Sequence, residues 1–206
     1  MISYAQNFED VILNRVFNNK DTGFYIDVGA HDPEHLSTTK YFYNMGWSGI
    51  NIEPIPSSFR KFEKARPRDI NLNIALSSQE EKRSFYVLEG EGEDDIIAKT
   101  MSSFNKETVE EAIERYKRDY EKVFQFTQID ISTTTLSSVC SQYCDREIDF
   151  LKIDAEGAEK EILEGADFVQ SRPTVILIEG KRPNTNPLHD SIEKYKNWDT
   201  YESILK

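Results

Sequence analysis

No stretch of the 206-residue chain approaches the roughly 18 to 20 consecutive apolar residues of a spanning helix, so a soluble globular protein is expected. Its first residues, "MISYAQNFEDVILNRVF", carry Glu9 and Asp10 early and lack the basic leader and long apolar core of a secretory signal. The expected compartment is the cytoplasm. Cysteine is scarce: Cys140 and Cys144 are the only two, one helical turn apart in "SSVCSQYC", without the further Cys or His that a zinc site needs. Both are expected as reduced thiols. Positive charge is also short, with 25 basic residues against 37 acidic and a net charge of -12, which argues against nucleic acid and anionic lipid as partners. The one basic stretch, "FRKFEKARPR", is expected to be the solvated face of a helix.

Glycine is missing where a dinucleotide would require it. "FYIDVGAHDP", Phe24 to Pro33, reads as a buried strand entering a loop, but Gly29 stands alone, with Ala30, His31 and Asp32 where a G-x-G-x-x-G fingerprint would place further glycines. This disfavours a nicotinamide dehydrogenase and favours a ligand without a pyrophosphate.

The remaining pattern predicts one domain over residues 1–206. Tyr4 to Phe17 spaces Phe8, Val11, Ile12, Arg15 and Val16 as one face of an amphipathic helix that the main sheet should cover. Then "GFYIDVGA", "SGINIEPI" and "DINLNIALSS" read as strands separated by the helices "STTKYFYNMGW", with Ser and Thr as caps, and "PSSFRKFEKARP". Strand, helix, strand, helix, strand is the first half of a doubly wound α/β sheet, and right-handed crossovers put strand one at its centre. The rhythm breaks between "KRSFYVLEG" and "FTQIDISTTTL", two strands flanking an insertion over residues 89–122 that would serve as a lid or be a simple charged excursion. It resumes with the helix "TTTLSSVCSQYC", the strand "IDFLKIDAEG", the helix "AEKEILEGADFV", the strand "PTVILIEG" and a helical tail to Lys206.

Ligands of open parallel sheets bind beyond the carboxyl ends of the strands, so the acids there carry the most interest. They are Asp27, Glu53, Asp154, Glu156 just beyond, and Glu179. Glu53 lies 24 residues beyond Gly29, a spacing that suits a carboxylate accepting hydrogen bonds from ribose hydroxyls. The aromatic group Tyr41, Phe42, Tyr43 and Trp47 could stack a sugar, but its helical spacing points to core.

Six fragments, "SYAQNFEDVIL", "YIDVGAHDP", "FYNMGWSGINIEPIP", "INLNIALS", "DFLKIDAEGAEKEILEGA" and "RPTVILIE", together resemble the FkbM family of S-adenosylmethionine-dependent methyltransferases. They follow the family's order from Ser3 to Glu179. The resemblance implies a class I, Rossmann-like methyltransferase fold and O-methylation of a sugar, glycan or glycosylated natural product. By analogy, Asp27 and Gly29 line the pocket for the methionine part of the cofactor, Asp27 receiving its ammonium. Glu53 holds the ribose, and Ile74 and Ala75 border the adenine. Set against the family, the chain lacks the usual final strands after "PTVILIEG", which would leave an edge for a second copy or another partner to cover.

A sulfonium donor already carries an excellent leaving group, so orienting the two reactants should dominate catalysis, with a base assisting the hydroxyl. Asp154, Glu156 and His31 are the candidates for that base. His31 has the better unperturbed pKa, while Asp154 ends a central strand. Glu159 is expected on the helix surface or as a cap. A divalent ion on Asp154, Glu156 and Glu179 is a secondary expectation. The alternative to an enzyme is a degenerate methyltransferase that binds the cofactor without turnover.

Overall fold

A computed structural model describes residues 1–178, apart from residues 19 and 93. Five strands, β1 (Phe24–Val28), β2 (Ser48–Ile52), β3 (Ile70–Leu72), β7 (Phe150–Ile153) and β8 (Val175–Ile178), form a parallel sheet in the order β3-β2-β1-β7-β8. The expected central position of β1 holds, and all five of its residues are buried. Sandwiched between layers, β1 carries apolar side chains on both faces, as buried parallel strands do, whereas β2 has Ile50 and Ile52 on one face and Gly49 and Asn51 on the other. One face, through Ile26, Ile50 and Leu151, packs on α6 (Leu136–Tyr143) and α7 (Glu159–Glu164). On the other, Tyr25, Phe42, Trp47 and Phe150 close over α1 (Glu9–Val16) and α2 (Lys40–Asn44). Phe42 and Trp47 are therefore core, as their spacing implies.

A second sheet, in the order β4-β6-β5, is built from β4 (Ala75–Leu76), β5 (Glu81–Glu89) and β6 (Gln125–Thr134). β5 and β6 are antiparallel and flank α4 (Asp94–Lys99) and α5 (Lys106–Tyr120). Asn105 caps α5 by accepting from the backbone of Glu107 and Thr108. The insertion closes a small separate core with the chain that flanks it, Met101 and Val109 packing with Leu88 and Phe124.

Four sequence expectations need correction. "DINLNIALSS" is not one strand: the Asn73 amide donates to the carbonyls of Glu53 and Pro54 at 2.9 and 3.0 Å, and the chain leaves the main sheet there to form β4 beside β6. The first helix begins at Glu9, not near Tyr4. The buried Asp10 carboxylate accepts from Ser3 Oγ at 2.6 Å and the Tyr4 N–H at 2.7 Å, which competes with helix formation upstream. Leu13 faces the sheet, and the expected apolar face of Phe8, Ile12 and Val16 is exposed. Thr39 precedes α2 but does not cap it, because its hydroxyl donates to Asp27 Oδ2 at 3.0 Å.

The basic stretch is only partly a solvated face. Arg66 is fully buried, donating to the Pro33 carbonyl at 2.6 Å, Ser37 Oγ at 3.2 Å and Tyr25 Oη at 3.3 Å. Tyr25 in turn donates to Asp69 at 2.5 Å, beneath β1 and β2. The four corrections share a cause: a polar side chain satisfies a backbone or buried group that periodicity alone does not reveal. No described helix is long and apolar enough to cross a membrane. Glu179, the expected terminal helix and the question of further strands lie outside the described residues.

Candidate active site

At the carboxyl ends of β1, β2 and β7 the sheet opens into a cleft enclosing about 1010 Å³, part of it open to solvent. Gly29, the first residue after β1, has φ +72°, and a Cβ there would lie 1.8 Å from the Asp154 carbonyl oxygen. Only glycine allows β1 and β7 to approach so closely at the cleft floor. The Gly29 and Ala30 N–H groups donate to the Ile52 carbonyl at 3.0 and 3.2 Å, which ties the loop to the tip of β2.

Glu53, the residue after β2, is buried beneath this loop. Its Oε2 accepts from the His31 N–H and its Oε1 from the Ile55 N–H, each at 2.8 Å. Burial raises its pKa to about 7, against the opposing pull of those two N–H groups. Each oxygen keeps a further lone pair. His31 adopts φ +59°, and its buried Nε2 has no hydrogen-bond partner. Burial lowers the imidazole pKa to about 4, so its unperturbed value near neutrality is not the relevant one. Among the described residues this is an orphaned polar atom in the cleft lining, the kind of group a ligand satisfies.

Lys152, in the middle of β7, supplies the site's central charge. Its Nζ lies 3.2 Å from Asp27 Oδ1 and 3.5 Å from Asp154 Oδ2, and donates to the Gly29 carbonyl at 3.1 Å. Burial alone would lower its pKa, but the two carboxylates outweigh it and hold the ammonium above its ordinary value. Asp27 Oδ1 makes no hydrogen bond of good geometry, so its charge is met by this contact alone. The expectation for Asp27 changes accordingly. It lies under the cleft, not in its lining, with its carboxylate engaged by Lys152 and Thr39 rather than open to a ligand ammonium.

Beyond β7 the loop turns through Glu156 at φ +50° and Gly157 at φ +103°. Glu159, buried rather than on the helix surface, shapes it by accepting from the loop N–H groups of Ala155 and Gly157 at 3.0 and 3.1 Å, and does not cap α7. Asp154 and Glu156 both line the cleft, and the Asp154 side chain is 37% exposed. Ser103 Oγ, from the insertion, donates to the Glu156 carbonyl at 2.9 Å, and Lys99, Thr100, Ser102 and Phe104 complete that wall.

Gly29, His31, Glu53, Ala75, Asp154 and Glu156 therefore meet in one cleft, whereas Ile74 packs into the core beside it. Lys152 escaped sequence reasoning, although a lysine inside the otherwise apolar "FLKI" was a visible signal, since a buried cation needs a partner. Among the described residues no group of three or more His, Cys, Asp or Glu could hold a metal ion.

A parallel sheet with its cleft over the central strands is the arrangement of a Rossmann-like α/β protein of methyltransferase type. The model of the methyltransferase FkbM domain family matches residues 27–198, and the chain belongs to that family. No curated protein and no solved structure matches it.

Lys152→Met would leave Asp27 buried without a cationic partner, and should cost about 3–5 kcal/mol of stability in urea denaturation. A loss below about 1 kcal/mol would show that Asp27 does not depend on it.

His31 and Glu53 impose opposite pH dependences. The imidazole, lowered from 6.5 to about 4, contributes stability that is present above pH 6.5 and lost as pH falls toward 4. The carboxyl, raised from 4.5 to about 7, contributes stability that is present below pH 4.5 and lost as pH rises through 7. His31→Gln removes only the first contribution. Relative to the parent, the variant should gain stability as pH falls from 6.5 to 4, by up to about 1.4 kcal/mol per pH unit. Parallel stability curves for the two proteins would contradict the burial argument.

Proposed function

We propose that the protein transfers a methyl group from S-adenosylmethionine to a hydroxyl of a sugar, glycan or glycosylated natural product. The observation that carries the reading is the cleft itself, which sits over β1, β2 and β7 in a chain of the methyltransferase FkbM family. The residues present fit the cofactor. Gly29 lines the cleft floor where the methionine part would lie, Glu53 has lone pairs for ribose hydroxyls, and Ala75 offers a small apolar surface to the adenine edge. When bound, the sulfonium supplies an activated methyl group with a good leaving group.

The chain's own task is to hold an acceptor hydroxyl in line and to receive its proton. Asp154 is the residue best suited to both. It stands at the end of a rigid strand, reaches the open side of the cleft, and has its charge balanced by Lys152. Protonating His31 would instead create a cation in a desolvated position already facing Lys152. Lys152, held charged by two acids, does not act as a base. Glu156 borders the same space and assists in orienting the acceptor. The insertion, residues 89–122, works as a lid whose contact with the Glu156 carbonyl keeps water from the reacting groups. Two free thiols, Cys140 and Cys144, suit a cytoplasmic enzyme.

Calorimetry and a methyl-transfer assay test the reading together. Glu53→Ala should weaken S-adenosylmethionine binding by about tenfold or more, with thermal unfolding as the control for folding. Asp154→Asn should lower turnover by about 10²- to 10⁴-fold while cofactor affinity changes little, and His31→Gln should be milder. Near-normal turnover in Asp154→Asn with an inactive His31→Gln would exchange their roles. Cofactor binding by the parent without transfer to any acceptor would instead favour the degenerate binding module.

A further inference from the structure

Beside the cleft lies a second, smaller hollow of about 470 Å³, counting space open to solvent. Its floor is the carboxyl end of β7 and β8, with Asp154 and Leu177. One wall is the loop at Leu36 and Thr38, and the other is the segment before α1, with Gln6 and Asn7. Gln6, Leu36, Lys152 and Asp154 line both spaces, so the hollow and the cleft meet at Asp154.

The segment is held in place as a strap. Asp10, fully buried, gathers Ser3 and Tyr4 through its two oxygens, and Lys40 Nζ sits 4.7 Å from the Tyr4 ring centroid, which fastens the strap to α2. Asn7 is committed to Glu9, donating from its N–H at 2.8 Å and its side-chain amide at 3.1 Å. The Gln6 amide has no hydrogen-bond partner among the described residues and is exposed at the junction of the two spaces. The strap precedes residues 27–198, the span of the family-model match.

We infer that this hollow is the acceptor subsite, that it takes an uncharged polyhydroxylated ring, and that Gln6 is a specificity-determining residue within it. The inference rests on the methyl-transfer reading for the meaning of the junction at Asp154. The hollow itself determines the chemistry of the occupant. An amide can both donate to and accept from adjacent hydroxyls, while Leu36 and Leu177 offer apolar surface to the C–H face of a sugar ring. Among the described residues the cation at the junction is Lys152, shared between two carboxylates, and the chain carries a net charge of -12. Phosphorylated or uronic acceptors would find repulsion there.

Ligand-observed NMR with neutral methyl glycosides, glucuronate and glucose 6-phosphate tests the inference without turnover. At least one neutral glycoside should bind the parent protein, about tenfold more tightly than either anion. Gln6→Ala should weaken that glycoside by about fivefold or more, while S-adenosylmethionine affinity in calorimetry stays within about twofold of the parent. Asp10→Ala, which frees the strap, should reproduce the loss. Binding of no neutral glycoside, equal or tighter binding of the anions, or an unchanged glycoside affinity in Gln6→Ala would each overturn the inference. Failure of the parent to bind S-adenosylmethionine would overturn the methyl-transfer reading instead, and the glycoside measurements would still report on the hollow.

Discussion

The arrangement depends on one buried cation. Asp27 and Lys152 are register partners on the adjacent parallel strands β1 and β7, and the lysine ammonium reaches two carboxylates and the Gly29 carbonyl from there. Such a charge is tolerable in a sheet interior only when its partners are in place. Its presence brings the ends of β1 and β7 together and aims Asp154 toward the cleft. The contact between Gly29 and the Asp154 backbone is the steric counterpart of the same constraint. Together they account for a loop with a single obligatory glycine where a dinucleotide protein would need three.

Around that floor the chain adds two further layers of control. The insertion brings a wall anchored at the Glu156 carbonyl, supported by the small separate core it closes with its flanking chain rather than by the main sheet. The strap brings a polar amide to the opposite end, anchored by a buried aspartate. In the proposed reaction the ends of β1, β2 and β7 position the donor, and the insertion and the strap choose what receives the methyl group.

Much of this was legible in the sequence, and the remainder was hidden for identifiable reasons. Continuous apolar runs marked β1, β2 and β7, the crossover rule put β1 at the centre, and strand-end acids located Glu53 and Asp154 in the cleft. Periodicity could not see that Asn73 would end β3, that Asp10 would hold residues before α1 out of the helix, or that Arg66 would be drawn into the core. Each depends on a side chain meeting a group distant in sequence. The same limit applies to the site. Asp27 looked available to a ligand because its partner Lys152 is supplied by a strand more than half the chain away. His31 looked suited to neutral pH because burial of a loop residue leaves no trace in sequence.

The central claim is that the donor nucleoside lies over β1 and β2, with its ribose on Glu53 and its sulfur facing Asp154. A crystal structure with S-adenosylhomocysteine tests it most directly. The account predicts ribose oxygens within hydrogen-bond distance of the Glu53 carboxylate and the sulfur on the side of the cleft toward Gln6. A ligand seated away from Gly29, or a Glu53 carboxylate bound only to the His31 and Ile55 N–H groups beside an occupied cleft, would contradict it.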